Sequence, residues 1–214
     1  MNKKAVIEWQ YLPPVQYFTK WLLYEEVLLE NWENYRKGTF RNRTYIAAAN
    51  GPLRLTIPLR KGKNEQQPIS EVRIAFDQPW PQQHWSSIQS AYGNAPFFPY
   101  YANDLEAAFR QPPSRLIDWN RVLLQIILPA LNLPDEIRQT DRWQDHLPPE
   151  VDDLRNHLHP KPQHRKPDPR FQPQPYAQVF MEKHGFLPNL SILDLLFCAG
   201  PESLFILEAS SLRG

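Results

Sequence analysis

Cysteine, glycine and long apolar runs are scarce in this chain, and each scarcity removes a class of protein. The single Cys198 excludes an intramolecular disulfide, and its apolar neighbours mark a buried thiol rather than a nucleophile. Seven glycines, none grouped, leave no phosphate-cradling glycine loop; zinc spacings and a Gly-x-Ser-x-Gly elbow are missing too. No apolar stretch approaches the roughly 18 residues of a membrane span. The basic start Met1-Asn2-Lys3-Lys4 is followed by Glu8, Gln10 and Pro13-Pro14, which end the apolar run too soon for a signal peptide. An excess of one charge is also missing, with 24 Lys and Arg against 23 Asp and Glu, so no global field draws nucleic acid or anionic membrane. The expected setting is a reducing cytoplasm, with no nucleic-acid partner.

Proline is abundant instead, at 23 residues, and eight of these fall between Leu147 and Tyr176. That segment has too few aliphatic side chains to offset its ordering entropy alone and reads as an extended strap or a disordered lid over about 148–176. The remainder, with 42% hydrophobic and 13% aromatic residues, can bury one substantial core, so residues 1–214 are expected to form a single domain.

Lys4 to Trp9 reads as a buried strand, Gln16 to Tyr24 as a helix and Val27-Leu28-Leu29 as a second strand. Thr44 to Ala49, Asn50-Gly51 and Leu53 to Leu59 read as a hairpin, because Asn-Gly accepts the positive φ values of a tight turn. Lys61 to Pro68 reads as loop, and Glu71 to Phe76 alternates like a half-buried strand. A helix from Pro81 carries Trp85, Ile88 and Tyr92 on one stripe, with Gly93 beyond its end. Asn103 and Glu106 have capping-box spacing, Ser114 caps a strongly apolar helix reaching Pro129, and Ser191 to Cys198 forms a docking helix stopped by Gly200-Pro201. The expected class is α/β: a small mixed sheet including a β-hairpin, packed by helices mainly from the C-terminal half.

In such a layer the ligand crevice lies beyond the carboxyl ends of the strands, which singles out Glu8, Gln10 and the loop to Gln16. Arg41 and Arg43 have the fork geometry that grips phosphate or carboxylate, and strand alternation would set them on one side with Asn42 on the other; the plain alternative is two solvated arginines. His84, early in its helix, is a candidate general base whose pKa a helix N-terminus would lower, or a hydrogen-bonded scaffold. Phe97, Phe98, Tyr100 and Tyr101 could stack on a sugar or base, or simply pack. Asp194, three residues after Ser191, reads as a cap partner. His157, His159 and His164 lack ordered ligand spacing, so no metal site and no cofactor are assigned.

Six blocks in order carry a resemblance: Gln10-Tyr11-Leu12-Pro13 with Tyr17-Phe18; Arg41-Asn42-Arg43; Leu55-Thr56-Ile57-Pro58-Leu59; His84-Trp85-Ser86-Ser87-Ile88; Tyr92-Gly93-Asn94-Ala95-Pro96-Phe97-Phe98; and Asn189-Leu190-Ser191-Ile192-Leu193-Asp194. Together they resemble the WbqC-like family over nearly the whole chain. The resemblance implies a role in bacterial surface-polysaccharide clusters, including O-antigen clusters, and transfer of an acyl or aminoacyl group such as glycine to an amino sugar. It implies small-molecule sugar or acyl-donor ligands, with other proteins of that pathway as partners. On side-chain chemistry His84 would then withdraw the proton, Asn42 or Asn94 would steady the oxyanion, and Glu8, Gln10, Arg41, Arg43, Tyr92 and Tyr101 would bind substrate. Two departures stand out: Gln10-Tyr11 replaces the common Gln-Pro, and Glu25 to Gly38 lacks the family's paired aspartates.

Overall fold

A computed structural model describes residues 4–60 and 67–212. Strand β1 (Lys4–Glu8) and strand β2 (Glu26–Glu30) lie parallel, with Val6 opposite Leu28 and Glu8 opposite Glu30. The crossover between them is two short helices, α1 (Val15–Phe18) and α2 (Lys20–Leu23), rather than one. Thr19 makes the break: its hydroxyl donates to the Gln16 carbonyl at 2.7 Å, the local bond by which threonine competes with helix propagation.

Hairpin strands β3 (Arg43–Ala48) and β4 (Gly51–Thr56) form their own two-stranded sheet. The positive φ expected across Asn-Gly is confined to Gly51, at 104°, so the turn resembles connections that close on a single left-handed glycine. The main sheet is completed by β5 (Arg138–Gln139) beside β2 and β6 (Val151–Asp153) beside β1, giving the all-parallel order β5-β2-β1-β6.

Glu71 to Phe76 does not become a ladder strand. A 3-10 turn covers Ile69–Glu71, and only isolated bridges follow, Leu59 with Ile74 and Arg73 with Arg115. The alternation was real, since Val72 and Ile74 are buried, but the segment divides its hydrogen bonds between Pro58 and Arg60 on one side and Ser114 and Leu116 on the other. The expected loop at 61–66 lies outside the described residues.

Helices α3 (Trp80–Tyr92), α4 (Phe98–Arg110) and α5 (Leu116–Ala130) supply six of the fourteen buried aromatic side chains among the described residues. The stripe Trp85, Ile88, Tyr92 is buried as its spacing requires. Trp85 stacks on Phe98, while Phe109 meets Trp119 edge to face. Three local readings change. Gly93 keeps a right-handed φ of −56°, Asn103 and Glu106 lie inside α4 because Pro99 starts that helix earlier, and Arg115, not Ser114, precedes α5.

After α6 (Met181–His184), helix α7 (Ile192–Ala199) is capped by Ser191, whose side chain accepts from the Leu193 amide, and α8 (Ser203–Ala209) follows. The proline-rich segment is tied down by polar bonds rather than a core of its own: Asp168 takes Lys20 and Gln16, Arg170 takes Tyr24 and Asp152, and Tyr176 and Gln178 reach Asp194.

Candidate functional site

The carboxyl ends of β1 and β2 place Glu8 and Glu30 side by side, on the face that period-two alternation gives to Val6 and Leu28. Both are buried, at 1% and 0% exposure, so each must be held by donors. The Glu8 carboxylate accepts from Gln10 Nε2 at 2.8 Å and from the Asn156 amide at 2.9 Å. Glu30 accepts from the Trp32 amide, the Thr140 hydroxyl and Arg155 Nη1. A third carboxylate, Glu33, grips Arg41 through Nε at 2.7 Å and through Nη2, which also donates to Asn156 Oδ1 at 2.9 Å. Three buried carboxylates thus converge with two guanidiniums, Arg41 and Arg155. Burial, with Glu8 and Glu30 close by, raises the Glu33 pKa even against Arg41. Burial works to lower that of Arg41, but Glu33 and Glu8 outweigh it and hold the guanidinium protonated.

Arg41 is therefore neither solvated nor a free phosphate fork. Residues Phe40–Asn42 form a 3-10 turn, so strand alternation does not apply until Arg43. The turn drives Arg41 inward to 0% exposure, while buried Asn42 donates to the Ile57 carbonyl at 2.9 Å. Arg43 stays half-buried.

His84 lies between α3 and the hairpin. Tyr11 donates to its Nδ1 at 2.9 Å, a second bond joins the ring to the Thr56 backbone, and Trp80 packs edge-on at 5.1 Å. Burial lowers its pKa to about 4, so the imidazole is neutral at pH 7; desolvation, more than the helix N-terminus, is the cause.

Other sequence candidates lie apart from this edge. Asn94 is exposed beyond the end of α3, about 15 Å along the axis from His84 at 1.5 Å per residue. Tyr92 is buried, donating to Asp194 and accepting from the Ala47 amide. Asp194 receives Tyr92, Tyr176 and Gln178, so it ties helices and strap together instead of capping α7. Tyr101 is half-buried against the core. His159 and His164 meet edge to face at 4.9 Å, and no group of three or more His, Cys, Asp or Glu among the described residues could hold a metal ion. Cavities of about 500 and 610 Å³ open elsewhere, one between the hairpin tip and Ser86, Ser87 and Ser90, the other between α3 and α4; neither is lined by Glu8, Gln10 or Arg41.

Sequence reasoning missed Glu30, Glu33, Asn120, Arg155 and Asn156. The strand-end rule that found Glu8 reaches Glu30 equally and points toward Glu33; those glutamates occupy the stretch noted for its missing aspartates. Asn120, which donates to the Arg41 carbonyl at 2.9 Å, sits on an otherwise apolar helix face, a local signal that was there to read. Asn156 has only its left-handed φ of 60°, which sequence does not display.

The model of the WbqC-like protein family matches residues 10–154, from Gln10 through the end of β6, with Glu8, Arg155 and Asn156 just outside the match. The chain belongs to the WbqC-like protein family. It is also similar to Rv1507c of Mycobacterium tuberculosis, described as an uncharacterized protein, at 26% identity over 148 residues. That match covers 69% of this chain and spans 63% of the relative's length. No solved structure matches. Among the described residues no helix is long and apolar enough to cross a membrane.

Proposed function

We propose that this WbqC-like chain is a cytoplasmic transferase that moves an acyl or aminoacyl group, of the glycine type, onto an amino sugar during bacterial surface-polysaccharide (O-antigen) biosynthesis. The family supports the pathway. The observation that carries the site is the buried series Gln10, Glu8, Asn156, Arg41, Glu33 at the carboxyl edge of a parallel sheet. Acyl transfer to an amine needs a proton acceptor beside the nucleophile and donors for the oxyanion. In this reading Glu8, held by two donors and next to the unpartnered oxygen of Gln10, takes the proton, and Arg41, paired with Glu33 and donating to Asn156, holds that edge in place. His84 fixes Tyr11 and with it the loop that presents Gln10, which makes it a positioning residue. Asn94, exposed beyond the end of α3, has no part in this reading.

The test is a transfer assay with aminoacyl and acyl donors against nucleotide-linked amino sugars, run on the wild type and on Glu8→Gln. Turnover is expected in the wild type and a loss of at least about a hundredfold in the variant, at unchanged fold. A Glu8→Gln enzyme with wild-type turnover removes Glu8 from the chemistry. One observation favours a second reading, a non-catalytic phospho-ligand-binding or scaffolding protein of the same pathway: Arg41 and His84 are both engaged by protein partners. Saturable ligand binding without turnover across the donor panel would select it.

A further inference from the structure

Arginines and lysines packed around the sheet edge fall into two sets. Arg41 pairs with Glu33, Arg155 with Glu30 and Asp153, Lys20 with Asp168, and Arg170 with Asp152. Arg43 and Arg121 have no carboxylate among the described residues. Each is half-buried, and the Nε of each is shut off from solvent with no hydrogen-bond acceptor. A desolvated guanidinium N–H without an acceptor is costly, and this edge otherwise matches its charges closely.

The stretches of chain that carry the two arginines are in contact. Asn120 donates to the Arg41 carbonyl, so Arg121 follows directly on the residue that touches this loop, and Arg43 stands two residues along it. Arg121 also lies over the Trp9 ring, 5.5 Å from its centroid, and the Trp9 indole N–H is another buried donor without an acceptor. Neighbouring Asn42 and Asn120 each spend their NH2 on a backbone carbonyl, which fixes their amide oxygens as the unpartnered atoms. The open groups are thus three N–H donors, two of them cationic, and two neutral acceptors. That set is complementary to an anion that itself carries an O–H or N–H group.

We propose that Arg43 and Arg121, with Trp9, Asn42 and Asn120, form an anion subsite that takes a phosphate or diphosphate group bearing hydroxyl or amino neighbours, and that Arg41 does not. Phosphate at Arg41 would have to approach Glu33 and Glu8, whereas Arg43 and Arg121 are unopposed by paired carboxylates. This subsite rests on reading the sheet edge as a ligand site, and it holds for a transferase or a binding protein alike.

Inorganic pyrophosphate, titrated calorimetrically into the full chain at low salt, tests it. Arg43→Gln and Arg121→Gln are each expected to weaken binding by about tenfold or more, as loss of a charge-assisted bond does, and the double variant to abolish it. Arg110→Gln, at an exposed cation paired with Glu106, should bind as the wild type does. Affinity should fall steeply with added salt. If a glutamine variant does not fold, Arg43→Lys and Arg121→Lys keep the charge and lose the fork, and the same weakening is expected of them. No pyrophosphate binding by the wild type, or binding indifferent to both arginines, overturns the subsite whatever the transfer assay gives. Absent turnover with this binding pattern intact removes the catalytic reading and leaves the subsite standing.

Discussion

Replacing Arg41 by methionine is the sharpest perturbation of the buried edge, because it removes a charge and leaves its partners in place. Glu33 loses a two-point grip, Asn156 Oδ1 loses its donor, and Glu8 loses the attraction of a buried cation. Breaking a fully buried pair from one side costs about 3–5 kcal/mol. At about 2–4 °C per kcal/mol for a chain of this size, the melting midpoint should drop by roughly 6–20 °C. Adding Glu33→Leu removes the orphaned carboxylate and should restore all but about 1 kcal/mol, the residue being the unmet Asn156 oxygen. Urea denaturation of the wild type, both single variants and the double variant closes the cycle, with an expected coupling of at least about 2 kcal/mol. The Arg41→Met penalty should also shrink as the solution is acidified: burial already raises the Glu33 pKa, and loss of Arg41 raises it further, so acid neutralises the stranded carboxylate in the fold before it does so in the unfolded chain. A single-variant cost below about 1 kcal/mol, or simple additivity, would refute the view that this pair is a closed structural unit.

Two further outcomes follow from neighbouring geometry. His84 has a folded pKa of about 4 against about 6.5 unfolded, so its contribution is complete above pH 6.5 and is lost as pH falls toward 4. The loss should reach about 3 kcal/mol, and His84→Asn, which does not titrate, should flatten that part of the stability profile; an unchanged slope assigns the acid sensitivity to other groups. Gly200, which closes α7, has a φ of +53°, and a Cβ there would lie 2.3 Å from the Phe97 ring. Gly200→Ala should cost about 2–4 kcal/mol by urea denaturation, falling to about 1 in a Phe97→Ala background where only backbone strain remains. Equal costs in the two backgrounds would show that the ring is not the obstacle.

Apolar rhythm made much of the fold legible. The hairpin, the Trp85-Ile88-Tyr92 stripe and the face from Leu116 to Ile127 announce themselves because each repeats a burial period over enough residues to be distinctive. Strands β5 and β6 do not, since two and three residues carry no period, and β6 exists only because the proline-rich segment comes back to pair with β1. At the site, strand-end reasoning reached Glu8 and Gln10 because a parallel sheet puts such residues at its crevice. It read Arg41 by its charge alone, and charge does not tell a paired arginine from an available one. The difference lies with a carboxylate eight residues upstream and an asparagine 115 residues downstream, joined only in the folded chain. Arg43 has the same fork, two residues away, with no such acid. One short basic block therefore splits into a structural cation and an available one. The Arg41 cycle and the pyrophosphate titration test that division from opposite sides: if Arg41 proves dispensable to the fold, or Arg43 to anion binding, pairing has been the wrong criterion for telling them apart.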